Sequence, residues 1–213
     1  MSDHRIRGIY VVTGDGPARG HAAIAAAAVA GGARCVQLRE KKLSDLELLK
    51  IARSIRHLTE GTGTLFLVND RLDIVLACGA DGVHVGQEDL PASVARHLLG
   101  PNAIVGVSTG SVEEAVKAEA DGASYVAIGP IFPTATKPDA GAAVGIEAIR
   151  GIKRAVAIPV VAIGGISPAN IASVAAAGAD AAAVVSAVVS AGDMAGAVRA
   201  LADEFARGRS QQA

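Results

Sequence analysis

Aromatic residues are nearly missing from this chain. It has no Trp, and Phe, Tyr and Trp together make up 2% of 213 residues. Binding of single-stranded nucleic acid rests on aromatic stacking platforms, so that class is not expected. Net charge is also lacking, at −1, and no bulk positive field draws the protein to DNA or to anionic membranes. Cysteine is scarce. Cys35 and Cys78 are the only two, their spacing fits no zinc motif, and two thiols make no disulfide framework. Both read as small buried apolar residues, which suits a reduced, cytoplasmic compartment. Residues 1–7 are polar and lack the apolar segment of a signal peptide. The Ala-rich run His21–Ala30 is too short to span a bilayer and stops at Gly31-Gly32. The expected partners are therefore small molecules, with no nucleic acid and no membrane. A homo-oligomer is compatible with the sequence.

What is present is aliphatic. Hydrophobic residues make up 51% of the chain, so the core must be built from Ala, Val, Ile and Leu. The length suits one sizeable core. A pattern recurs along it: an apolar helix, then Gly-Ala-Asp or a relative, then a short apolar run. It occurs at Gly32-Ala33-Arg34, Gly79-Ala80-Asp81, Gly122-Ala123-Ser124 and Gly178-Ala179-Asp180. The glycine ends a helix in a left-handed conformation that residues with a Cβ avoid. The apolar runs that follow lack polar alternates, as strands buried on both faces do.

Eight strands are predicted, over 8–13, 35–38, 64–68, 82–85, 104–108, 124–128, 159–163 and 181–185. Helices lie between them. Ser44 with Glu47, and Ser111 with Glu114, are capping boxes that start helices over 44–60 and 111–120. Strands alternating with helices pair in parallel through right-handed crossovers. Eight units in one chain predict a single-domain (β/α)₈ barrel of the TIM type over 1–206, with 207–213 as a disordered tail. A doubly wound sheet is the alternative, but no G-x-G-x-x-G follows the first strand.

In such a barrel the reactive groups gather at the C-terminal strand ends. Gln37, Arg39 and Lys41 alternate after strand two, so they share a face in extended backbone. A guanidinium fork and an ammonium together suit a phosphate or pyrophosphate. Glu40 and Lys42 read as solvated charges. Asn69 and Asp70 end strand three, and His84 to Asp89 end strand four. Two carboxylates, Asp70 and Asp89, facing a basic cluster suit hard oxygen ligation of Mg²⁺. Each could instead cap a helix. His84 reads as a packed strand residue. Ser108 ends strand five, and Thr134, Thr136 and Lys137 follow strand six. Gly164-Gly165, ahead of a Ser167-Pro168 cap, and Val185-Ser186 offer backbone amides to a monophosphate. The long segment 129–145 reads as a lid that carries Lys137 onto pyrophosphate.

These residues resemble the thiamine-phosphate synthase family. The specific matches are Gly86-Gln87-Glu88-Asp89-Leu90 and Phe132-Pro133-Thr134-Ala135-Thr136-Lys137. Supporting ones are Val36 to Lys41, Val68-Asn69-Asp70, Gly106-Val107-Ser108, Val161 to Ile166 and Val185-Ser186-Ala187. The chain departs from the family at Thr13-Gly14-Asp15-Gly16. The resemblance implies a transferase of thiamine biosynthesis. It would join hydroxymethylpyrimidine diphosphate to a thiazole phosphate, or its carboxylated form, and release pyrophosphate. It also implies that Gln37 reads the pyrimidine, and that Arg39, Lys41, Asn69 and Lys137 hold the diphosphate. Asp70 and Asp89 would ligate Mg²⁺, and Ser108 would bond near the leaving oxygen. Ser108 and Lys137 are the implied catalytic residues. The backbone of Thr134 to Thr136 would touch the thiazole, and Gly165, Val185 and Ser186 would bind its phosphate. Rival readings on the same barrel are a thiazole tautomerase-like isomerase, a phosphosugar aldolase or isomerase, and a phosphate-binding sensor without catalysis.

Overall fold

Eight short runs with apolar residues on both faces need cover on both sides, and a barrel ringed by helices supplies it. The computed structural model, which describes residues 6–15, 18–136 and 141–210, has that arrangement. The strands are β1 Gly8–Val12, β2 Cys35–Leu38, β3 Leu65–Asn69, β4 Gly82–Val85, β5 Ile104–Thr109, β6 Tyr125–Ile128, β7 Val160–Ile163 and β8 Ala181–Val184. Each pairs in parallel with the next, and β8 returns to β1 with Gly8 opposite Ala181, closing the barrel. The helices are α1 His21–Ala30, α2 Asp45–Thr59, α3 Leu72–Cys78, α4 Ala92–Leu99, α5 Val112–Ala120, α6 Ile146–Ala155, α7 Ile171–Ala176, α8 Ser186–Val189 and α9 Met194–Ser210. None among the described residues is long and apolar enough to cross a membrane.

Alternate strand residues separate two cores. Val11, Val36, Phe66, Val83, Val105, Val126, Val160 and Ala182 face the helices. Tyr10, Cys35, Leu67, Ile104, Tyr125, Val161 and Ala183 fill the barrel. The interior is narrow, and its two tyrosines are accommodated by small neighbours. Gly106 sits opposite Tyr125 in the β5–β6 register, and a Cβ there would lie 2.1 Å from the Tyr125 ring.

The repeated Gly-Ala-Asp units close the other end of the barrel. Asp81 Oδ2 accepts from Phe66 N (2.7 Å) and from Arg56 Nη1 (3.1 Å). Asp180 Oδ2 accepts from Val160 N (2.8 Å) and from Lys153 Nζ (2.5 Å). Ser124 Oγ accepts from Val105 N (3.1 Å) and from Arg96 Nη2 (2.8 Å). Each of these three residues thus satisfies an amide near the start of the preceding strand and is held by a cation from the helix that leads into that strand. These polar residues serve architecture, and the other end is free for chemistry.

Three expectations are corrected. Residues 207–210, expected to open a disordered tail, instead complete α9, which runs through Arg207 to Ser210. Gly208 lies so close to α7 that a Cβ would be 2.1 Å from Ala172 O, so this turn is docked rather than loose. Residues 211–213 lie outside the described residues. Ser167 is not the cap of α7. The helix starts at Ile171, and the Asn170 side chain accepts from Ser167 N (2.8 Å) and donates to Gly165 O (3.0 Å). Of the two capping boxes, that of Ser44 and Glu47 is complete, whereas Ser111 accepts from Glu114 N and the Glu114 carboxylate accepts from Gly110 N.

Replacing Gly106 by Ala should lower the unfolding free energy by about 1–3 kcal/mol, because the methyl overpacks the Tyr125 ring. Gly192→Ala, in open space, should change it by less than about 0.5 kcal/mol. Urea denaturation midpoints of the two variants check the contrast.

Candidate active site

The C-terminal strand ends surround one cavity of about 430 Å³. It is lined by Gln37, Arg39, Lys41, Asn69, Asp70, Asp89, Ser108, Thr134, Thr136, Gly165, Val185 and Ser186. Every described residue that the sequence singled out for binding is therefore in one place. Lys137 lies outside the described residues.

On one side the cavity carries opposed charges. Lys41 and Asp70 form an ion pair, Nζ to Oδ2 at 3.3 Å. The Asp70 carboxyl also meets that of Asp89, and burial together with this neighbour raises its affinity for protons, against the pull of Lys41. Asp89 Oδ2 accepts from Gly86 N at 2.8 Å. Neither aspartate caps a helix. α3 starts after Arg71, with no side-chain cap bond, and α4 starts after Pro91. Asp70 instead adopts φ 60°, a left-handed turn that Asp tolerates better than most residues. Its amide donates to His84 O, which ties the turn to β4. Two carboxylates pressed together are a poor arrangement without a cation or proton between them. No group of three or more metal-binding side chains occurs among the described residues. A pair suits Mg²⁺, which commonly takes one or two carboxylates and completes its shell with water and substrate phosphate.

Arg39 is held from behind. Its amide donates to Thr13 Oγ1 (3.1 Å), Thr13 Oγ1 bonds His21 Nδ1 (2.8 Å), and His21 Nε2 meets Glu40 Oε2 (3.2 Å). The Glu40 side chain is only 2% exposed, so the solvated reading of Glu40 is wrong. Its partner comes from α1, a contact with no local signature. Lys42 is exposed, as expected. The Arg39 guanidinium pairs with Asp15, a cavity residue that sequence reasoning left without a role.

The cavity floor is polar. Gln37 Nε2 donates to the Tyr10 hydroxyl at 2.5 Å, and the Tyr10 and Tyr125 hydroxyls are 2.9 Å apart. His84 Nδ1 lies 2.8 Å from the Tyr125 hydroxyl, and its Nε2 lies 2.8 Å from Ser108 Oγ. Burial lowers the His84 pKa to about 4, so the ring is neutral near pH 7. Sequence reasoning missed both tyrosines. The available signal was that the chain's only two tyrosines stand in otherwise aliphatic strands, where a hydroxyl needs a partner.

Across the cavity lie Gly164 and Gly165, with φ of 96° and 64°. Thr136 Oγ1 reaches Ser186 Oγ at 3.5 Å, so the segment after β6 meets α8. That segment is not structureless at its ends. Ile131 N donates to Ile163 O and Phe132 N to Gly164 O, while Val144 N and Gly145 N return to Pro130 O and Ile131 O. Ile131 is buried. The base of the expected lid is thus fixed, and the stretch that would carry Lys137 lies outside the described residues.

A family model described as thiamine monophosphate synthase matches residues 9–188. The chain belongs to that family. It is 58% identical to the thiamine-phosphate synthase of Moorella thermoacetica over 132 residues, which are 62% of this chain and 63% of that protein. The match thus spans slightly less than two thirds of that relative. Identity to the thiamine-phosphate synthase of Methanoregula boonei is 52% over 153 residues, 71% of each chain. The solved thiamine phosphate pyrophosphorylase from Pyrococcus furiosus has a TM-score of 0.88 at 38% identity, over 96% of this chain and 98% of that one.

From the resemblance alone, Gly165→Val is expected to weaken thiazole-phosphate binding far more than diphosphate binding. The geometry changes that expectation. A Cβ on Gly165 would lie 2.6 Å from Pro133 O and 2.7 Å from Phe132 Cβ, in a conformation that L residues rarely adopt. Gly165→Val should therefore displace the 131–136 segment and weaken pyrophosphate and thiazole phosphate together. Separate calorimetric titrations of the two ligands check this. Selective loss of thiazole phosphate would restore the simpler view.

Proposed function

We infer that this chain is a thiamine-phosphate synthase, an alkyl transferase that joins 4-amino-2-methyl-5-(diphosphooxymethyl)pyrimidine to a thiazole phosphate and releases pyrophosphate. The observation that carries this reading is the convergence, in one cavity, of Arg39, Lys41 and the Asp70–Asp89 pair opposite Gly165 and Ser186. It supports two anionic subsites with room for rings between them. A tautomerase or a simple phosphate sensor has no use for the first subsite. A Schiff-base aldolase would want a lysine in a strand, and the strands hold none.

In this reading Gln37 recognises the pyrimidine from the cavity floor. Arg39, Lys41, Asn69 and Lys137 bind the diphosphate. Asp70 and Asp89 hold Mg²⁺, which when bound neutralises charge on the diphosphate oxygens. Ser108 donates toward the oxygen that departs. Backbone near Thr134 and Thr136 contacts the thiazole, and the amides of Gly165, Val185 and Ser186 bind its phosphate.

The chemistry follows from charge. The bond between the exocyclic carbon and oxygen breaks, and its electron pair leaves with pyrophosphate. The aminopyrimidine stabilises the resulting cation. The lone pair of the thiazole nitrogen then forms the new carbon–nitrogen bond. No proton need move and no protein nucleophile is used. The residues contribute position and preorganised charge, which are worth most where water is excluded. The two free cysteines accord with a reduced, cytoplasmic setting.

Pyrophosphate release from the pyrimidine diphosphate should require Mg²⁺ and should yield thiamine phosphate when the thiazole phosphate is supplied. Asp70→Ala and Asp89→Ala should each cut turnover by about 100-fold or more while leaving the circular dichroism melt in place. Near-normal turnover of either variant in chelator-treated buffer would remove the metal assignment. Absence of coupled product from the wild type would remove the synthase reading.

A further inference from the structure

We propose that His84 is a positioning residue: through a hydrogen-bond chain of fixed direction that starts at Gln37, it turns the Ser108 hydroxyl proton outward into the cavity. The catalytic use of that proton rests on the synthase reading. The direction of the chain does not.

The direction follows from counting hydrogens. Gln37 Nε2 carries only hydrogens, so it must donate to the Tyr10 hydroxyl oxygen, 2.5 Å away. A hydroxyl has one hydrogen. That of Tyr10 is then free for the Tyr125 oxygen at 2.9 Å. The Cys35 thiol beside Tyr10 is the other acceptor within reach, and sulfur is the weaker one. The Tyr125 hydrogen in turn goes to His84 Nδ1 at 2.8 Å. A neutral imidazole with Nδ1 accepting carries its proton on Nε2, which donates to Ser108 Oγ at 2.8 Å. Ser108 has accepted within the chain, and its own hydrogen is left for the cavity that it lines. The opposite direction would leave Ser108 as an acceptor facing the cavity. That is the wrong polarity toward an oxygen gaining negative charge.

Two features hold this arrangement. The chain is buried: Tyr125 is 0% exposed, Tyr10 2% and Gln37 4%, so water does not compete along it. The His84 and Tyr125 rings stack with centroids 5.6 Å apart, which fixes the plane of the imidazole. An imidazolium would donate from both nitrogens and confront the Tyr125 hydroxyl.

The test is nitrogen NMR of protein labelled with ¹⁵N-histidine, with the His84 signals assigned through their contacts to the Tyr125 ring. The expected result at pH 7 is a protonated Nε2 and a bare Nδ1. A proton on Nδ1 in the wild type would overturn the proposal, whatever the enzyme's substrate proves to be. Tyr125→Phe keeps the ring and removes the hydrogen that fixes the tautomer. It should shift both His84 nitrogens toward a mixture and lower kcat about tenfold, with KM little changed. Unchanged nitrogen shifts together with unchanged kcat would contradict the chain. A wild type without synthase turnover would sink the functional reading instead, and the tautomer would still decide the direction.

Discussion

The hydrogen bond between the Tyr10 and Tyr125 hydroxyls joins β1 to β6 through the inside of the barrel. Much of the structure is arranged around it. Burying two phenols in an aliphatic interior is costly unless each hydroxyl is paired. Here each satisfies the other, and Gln37 and His84 satisfy the remaining valences. The rings themselves need volume, which Gly106 and Ala183 yield. The result is a rigid polar floor, with aliphatic packing below and the cavity above. Gln37 and Ser108, at its two ends, are the groups that the floor presents upward.

The two ends of the barrel use charge in different ways. Below, Asp81, Asp180 and Ser124 each bond to a strand amide and a basic side chain, so their polar atoms are spent on architecture. Above, the carboxylates of Asp70 and Asp89 press together, with the exposed Lys41 paired to Asp70. An arrangement that is unfavourable without a ligand is what a site for a metal and a polyanion requires. Arg39 is placed by a buried relay through Thr13, His21 and Glu40, so its backbone is fixed although its guanidinium rests on an exposed loop aspartate.

The strands were legible because burial on both faces forces continuous apolar runs, and such runs survive in sequence without any partner being known. The cavity-lining face was legible for the same reason, since polar residues begin where those runs stop. What escaped depends on distant contacts or on backbone geometry. Glu40 looks solvated until His21 of α1 is brought against it. Asp70 looks like a helix cap, and only its left-handed φ shows that the chain turns there to aim the carboxyl at Asp89. Gly165 was legible as a site of backbone approach, but not as the place where Phe132 and Pro133 pack. The tyrosine floor needed the barrel register, which sets Gly106 beside Tyr125 and Gly106 beside His84.

The central claim is that one cavity holds a diphosphate on the β2–β4 side and a monophosphate on the β7–β8 side, with the pyrimidine on the polar floor. A crystal structure with thiamine phosphate, pyrophosphate and Mg²⁺ tests it most directly. The account predicts the pyrimidine against Gln37, pyrophosphate among Arg39, Lys41 and the metal held by Asp70 and Asp89, and the thiamine phosphate group on the Gly165 and Ser186 amides. Both anions on the β7–β8 side, with Asp70 and Asp89 bound to no metal, would contradict it.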